Sequence, residues 1–142
     1  MIETTDQIFQ IPENSLDDLT ISGSGYKHLV VVVDTEHFGP EESATLKKMI
    51  EAIKYDFVND IFLLQLHDNQ NISFHNILPV YDDIILFGIK PSQIGIFVDC
   101  INYEILNFEK SRMLICDPIK DINAVQSKKV LLWNKLQEMF LK

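Results

Sequence analysis

Leu29-Val30-Val31-Val32-Val33-Asp34 is the stretch that decides the fold. In a strand, successive side chains point to opposite faces, so this run puts valines on both sides and leaves neither for water. It predicts a strand buried on both faces, at the centre of a sheet covered by helices. The aspartate ends the run where a parallel α/β sheet presents its working edge, at the carboxyl ends of its strands.

Outward from this strand, apolar runs alternate with helical periods. Asp34-Thr35-Glu36-His37-Phe38-Gly39-Pro40 leads into a helix: Pro40 suits a first helical turn, and Glu41 and Glu42 complement the positive end of its dipole. Leu46, Met49, Ile50, Ile53 and Phe57 recur at helical spacing and predict its buried face. Residues 61–66, 84–88 and 113–116 read as further strands, and residues 72–78 as a short helix ended by Pro79. Residues 94–98 and 103–108 are expected as short strands or a hairpin. Residues 127–142 close the chain as a helix, with Val130, Trp133, Leu136, Met139 and Phe140 as a stripe that Leu132 widens. The alternation argues for an α/β fold: a three-layer sandwich around a mostly parallel central sheet of about four strands, with helices on both faces.

With 142 residues and 46 % apolar composition, one globular domain over residues 26–142 is expected. Residues 1–25 differ. They hold Glu3, Asp6, Glu13, Asp17 and Asp18 with no Lys or Arg, and end in Ser22-Gly23-Ser24-Gly25, a linker composition. Ile8, Phe9, Ile11, Leu16 and Leu19 interrupt the acidic stretch. The segment reads either as a ragged terminus or edge strand, or as a tail that folds onto a partner with those side chains as anchors.

The net charge of −9 argues against autonomous binding to a phosphate backbone. The start of the chain lacks the basic and apolar regions of a secretory leader, and no apolar run is long enough to span a bilayer, so a cytoplasmic protein is expected. Cys100 and Cys116, both in apolar stretches, read as reduced core thiols. His28, His37, His67 and His75 show no ligand spacing, and no Cys-x-x-Cys, Walker loop, dinucleotide fingerprint or Gly-x-Ser-x-Gly elbow occurs. No cofactor or metal is therefore expected. One constellation remains: Asp34, Glu36 and His37 after the central strand, and Asp117-Pro118 after the last. Loops at the carboxyl ends of parallel strands can meet in one crevice, where Asp34 and His37 are candidates for acid-base work on water. The plainer alternative is that both aspartates cap turns and His37 is a solvated loop residue.

The order of these pieces resembles the psi subunit of bacterial DNA polymerase III, part of the clamp-loader assembly. The resemblance lies in the apolar-anchored N-terminal tail, the Val-rich strand ending at Asp34, the helix with Leu46 and Ile50 inward, and the strand ending Leu64-Gln65-Leu66. It is nearest in Met113-Leu114-Ile115-Cys116-Asp117-Pro118, followed by the helix with Leu132-Trp133. Psi is similar to a uracil-DNA glycosylase without its chemistry. Residues 34–40 partly echo the glycosylase water-activating pattern Asp-Pro-Tyr-His-Gly-Pro, with Asp34, His37, Gly39 and Pro40 in similar order. Where such enzymes carry His-Pro-Ser-Pro, this chain has Asp117-Pro118-Ile119-Lys120, without the histidine. The resemblance implies a non-catalytic connector. Its tail would engage the clamp loader through Ile8, Phe9, Ile11, Leu16 and Leu19, and its globular body a chi-like partner. It differs from the family in lacking basic and Trp residues in the tail. The alternatives are a glycosylase-like enzyme using Asp34 and His37, and an α/β interaction module unrelated to replication.

Overall fold

The structure is a computed structural model, and it describes residues 20–67, 71, 82–96, 101–108 and 111–141. Within these the elements follow the order β1 (Thr20–Ser22), β2 (Leu29–Asp34), α1 (Pro40–Ala52), β3 (Ile61–Leu66), β4 (Asp83–Phe87), β5 (Ile105–Phe108), β6 (Ser111–Cys116), α2 (Ile119–Ala124) and α3 (Gln126–Phe140), with short 3-10 turns at Thr35–His37 and Pro91–Ile94. The strands form one sheet in the order β1-β3-β2-β4-β6-β5. Its four inner strands are parallel, while β1 and β5 pair antiparallel at the two edges.

The α/β class is as expected, but the sheet is mixed and has six strands rather than about four. The additions are short, and edge position rather than composition makes them strands. Thr20–Ser22 pairs with β3, so residues 20–25 of the acidic segment belong to the sheet margin. The backbone N–H groups of Ser24 and Gly25 continue that attachment by donating to the carbonyls of Val58 and Ile61. β5 folds back on β6 as a hairpin. Residue Ile94, expected in a strand, lies in the 3-10 turn instead, and residues 97–100 are outside the described residues.

All of β2 is buried. Leu29, Val31 and Val33 face one layer, with Leu46 and Ile50 of α1, Ile119 and Ile122 of α2, and Leu132, Leu136 and Met139 of α3. Val30 and Val32 face the other, with Leu64, Leu66, Ile84, Leu86, Met113, Ile115, Ile89, Ile94 and Ile96. The three described α-helices share one face and the described cover of the other is residues 89–96, while the β3–β4 connection, where the expected helix of the second face falls, lies outside the described residues. Handedness explains the division. A right-handed crossover from β2 leftward to β3 places α1 on one face, and the same hand from β4 rightward to β6 sends that connection to the other. That connection carries Pro91 and ends its turn at Gly95, with φ +82°, so it stays a single turn. The short helix expected over residues 72–78 lies outside the described residues.

Two stripe assignments shift. α1 ends at Ala52, so Ile53 is buried just beyond it and Phe57 is half-buried in the following turn. In α3 the buried positions are Leu132, Leu136 and Met139, while Trp133 and Phe140 are half-buried and Val130 is exposed. Val130 fits the helical period counted from Trp133 alone, but it points away once Leu132 takes the centre of the stripe.

At the amino edge of the sheet one side chain ties three elements. The Arg112 Nε–H donates to Asp83 Oδ1 at 2.7 Å, and an Nη1–H donates to the Met139 carbonyl at 2.8 Å, near the end of α3. The guanidinium also stands 5.6 Å from the Phe140 ring centre. Phe140 meets Tyr55 edge-on at 5.5 Å, and the Lys27 ammonium lies 4.7 Å from the Tyr55 ring centre. Asp83 is only 5 % exposed, so loss of Arg112 would leave a buried carboxylate without its main partner. Arg112→Ala is expected to destabilise the fold by about 2–3 kcal/mol. Urea denaturation checks this; a midpoint equal to that of the parent chain would show that the Asp83 pairing contributes nothing.

Candidate functional site

Asp34 ends β2, His67 follows β3, Gly88 follows β4 and Asp117 follows β6, all at the carboxyl edge. The parallel register sets Asp34 opposite Leu66 and Phe87 opposite Cys116, so the four loop openings are neighbours. Gly88 has φ +72°, and a Cβ there would stand 2.8 Å from Pro118 Cγ. The bare backbone therefore lets the β4 and β6 loops touch, with the Gly88 N–H donating to the Cys116 carbonyl at 3.0 Å.

The structure brings Asp34 and His37 together. Asp34 Oδ1 accepts from the Glu36 backbone N–H at 3.0 Å and caps the 3-10 turn, while the His37 Nδ1–H donates to Oδ2 at 2.6 Å. Asp34 is buried and the His37 ring is about half exposed. An acid-base pair working on water needs a water between itself and the substrate. Both oxygens of the buried Asp34 are engaged within its own loop, in a narrow cleft lined by Val33, Phe38, Phe87, Pro118 and Ile119, and the His37 ring is the side of the pair that solvent reaches.

Asp117 is not part of that cluster. The Tyr103 hydroxyl donates to its Oδ2 at 2.9 Å, an Asn102 Nδ2–H donates to Oδ1 at 3.3 Å, and Lys128 Nζ lies 3.3 Å from Oδ2. The carboxylate thus joins the end of β6, the turn before β5 and the first turn of α3. Burial, reinforced by the bond to Asp117, pushes the Tyr103 hydroxyl far above its usual range, so it stays a proton donor. The Tyr103 backbone has φ +66°, strained for a side chain of this size, and its N–H donating to the Ile115 carbonyl at 2.7 Å helps to hold it there. Cys116 is buried, and that burial pushes its thiol well above the ordinary range, leaving it inert as a nucleophile.

One linkage has no signature in the sequence. The His67 Nδ1–H donates to Glu36 Oε2 at 2.7 Å, and Gln93 Nε2 donates to the His67 carbonyl at 3.4 Å. The ends of β2 and β3 and the 3-10 turn on the opposite face are thereby connected. Only the parallel register, which places His67 one step past the Asp34–Leu66 pair, could have exposed this contact in advance. Among the described residues no three His, Cys, Asp or Glu side chains gather as a metal site, and no helix is long and apolar enough to cross a membrane. The anchors Ile8, Phe9, Ile11, Leu16 and Leu19, together with Cys100, lie outside the described residues.

The His67 bond, with side-chain hydrogen bonding to Asp34 as second cause, holds the Glu36 carboxyl down at about 2, from an ordinary 4.5. A depressed carboxyl pKa stabilises the fold above the unfolded value, and that contribution fades as pH falls from about 4.5 through about 2. Carbon NMR titration should find Glu36 with this low midpoint, and His67→Ala should raise it toward the ordinary value. An ordinary midpoint in the parent chain would exclude the bond in solution.

No protein-family model matches the chain, and no curated protein is significantly similar to it in sequence.

Proposed function

We propose that this chain is a non-catalytic connector of the DNA-replication clamp-loader assembly, resembling the psi subunit of DNA polymerase III. The observation that carries the non-catalytic part is the engagement of both Asp34 oxygens within their own loop. In the one pair that echoes a water-activating loop, the buried Asp34 carboxylate caps the 3-10 turn with one oxygen and accepts from His37 with the other. Asp117 adds to it. It stands where the glycosylase pattern has a histidine, it is already engaged by Tyr103, Asn102 and Lys128, and its negative charge is unsuited to stabilising an anionic leaving base. The four parallel inner strands fit the uracil-DNA glycosylase-like sandwich that this reading entails. On it, the acidic tail engages the clamp loader through Ile8, Phe9, Ile11, Leu16 and Leu19, the globular body takes a chi-like partner, and the protein works in the cytoplasm.

The test is affinity purification from the source cell with the full chain and with residues 1–19 deleted, a cut that spares β1. Clamp-loader subunits should co-purify with the full chain and be lost on deletion. No replication protein in either sample would overturn the connector role. The full chain should release no uracil from single- or double-stranded uracil DNA; release that Asp34→Asn abolishes would overturn the non-catalytic assignment.

A further inference from the structure

On the outer side of the helical layer, α1 and α3 leave an open apolar groove of about 360 Å³. Met49 and the half-buried Trp133 form its walls, and at one end the Thr45 hydroxyl donates to Asn123 Oδ1 at 3.1 Å. Its charged lining residues are Lys48 and Lys129, with no carboxylate among them, although the chain as a whole carries a net charge of −9. Both lysines are exposed, and among the described residues neither is in an ion pair. The groove is therefore apolar at its floor and locally positive at its rim, which suits an acidic segment with a bulky apolar side chain.

The chain itself carries such a segment. Residues 1–19 hold Glu3, Asp6, Glu13, Asp17 and Asp18, no basic side chain, and Ile8-Phe9-Gln10-Ile11 as an apolar centre. We propose that the α1–α3 groove is the docking site of this N-terminal segment in cis, with Phe9 seated beside Trp133 and the acidic flanks facing Lys48 and Lys129. The reach suffices. Phe9 precedes β1 by eleven residues, a span of about 35 Å when extended. From β1, β2 lies about 10 Å away across β3, and passing over a helix adds about 20 Å. Tethering also presents the segment at millimolar effective concentration, so a weak intrinsic affinity is enough. The docked state goes beyond the connector reading and does not need it: it describes the chain alone. It would also put any partner that binds the same anchors in competition with the groove.

Trp133 is the only tryptophan, so its emission reports on the groove directly. The experiment compares the full chain with full-length Ile8→Asp/Phe9→Asp/Ile11→Asp and with full-length Lys48→Glu/Lys129→Glu. Docking predicts that both variants shift Trp133 emission to longer wavelength and make it more accessible to acrylamide. It also predicts that about 1 M salt, where charges are screened beyond about 3 Å, moves the parent chain in the same direction. Far-UV circular dichroism should be unchanged, since the altered residues are exposed lysines or precede β1 in the sequence. Identical emission and quenching in parent and tail variant would overturn the proposal. A difference that disappears on dilution would assign the segment to a second copy and overturn docking in cis. Neither outcome depends on whether clamp-loader proteins are recovered.

Discussion

β2 has no side fit for water, and the architecture follows from that constraint. Leu29 and the four valines are at most 1 % exposed, each contributing about 1.5–3 kcal/mol of apolar burial. Covering only one face would forfeit roughly half of it. Two layers are needed, and among the described residues three helices supply one and Ile89, Ile94 and Ile96 contribute to the other. The sheet extends on both sides of β2 because a strand buried on two faces must also pair along both edges to satisfy its backbone.

The same arrangement collects polar groups at the carboxyl edge, and there the chemistry turns inward. Asp34, Glu36, His37 and His67 carry the atoms that acid-base catalysis uses, yet their bonds run to one another and to backbone N–H groups. Asp117 does likewise with Tyr103 and Lys128. Each of these contacts joins one loop of the carboxyl edge to itself or to its neighbour, so the described part of that edge is cross-tied.

How much of this was legible in the sequence depended on the length and repetition of each signal. The Val run, residues 61–66 and residues 113–116 were plain, because uninterrupted apolar stretches have few places to go. The helix after Pro40 was equally plain, since proline, two glutamates and the Leu46–Ile50 spacing agree. β5 falls within residues 103–108, read as a short strand or hairpin, and β1 within the segment read as a tail or an edge strand; at four and three residues neither shows a period, and their pairing is set by the edges beside them. The wrong phase of Val130 came from a stripe with apolar residues at both 132 and 133, between which only contact with the sheet decides. At the site, the Asp34–His37 pairing was visible as a local motif, whereas Glu36–His67 and Tyr103–Asp117 join residues 31 and 14 positions apart and exist only through strand register.

α3 is fastened at both ends, and by different means. Near its start, Lys128 meets Asp117 across partly exposed side chains. Near its finish, Arg112 grips the Met139 carbonyl while paired with the buried Asp83. The two cations are similarly exposed, but the Asp83 carboxylate is more buried than the Asp117 carboxylate, so salt screens the first tie more than the second. The helix is therefore a strut with a rigid foot and a softer head. Sliding along the sheet or turning about its axis would break one tie, and the Lys128–Asp117 end is the one expected to open first.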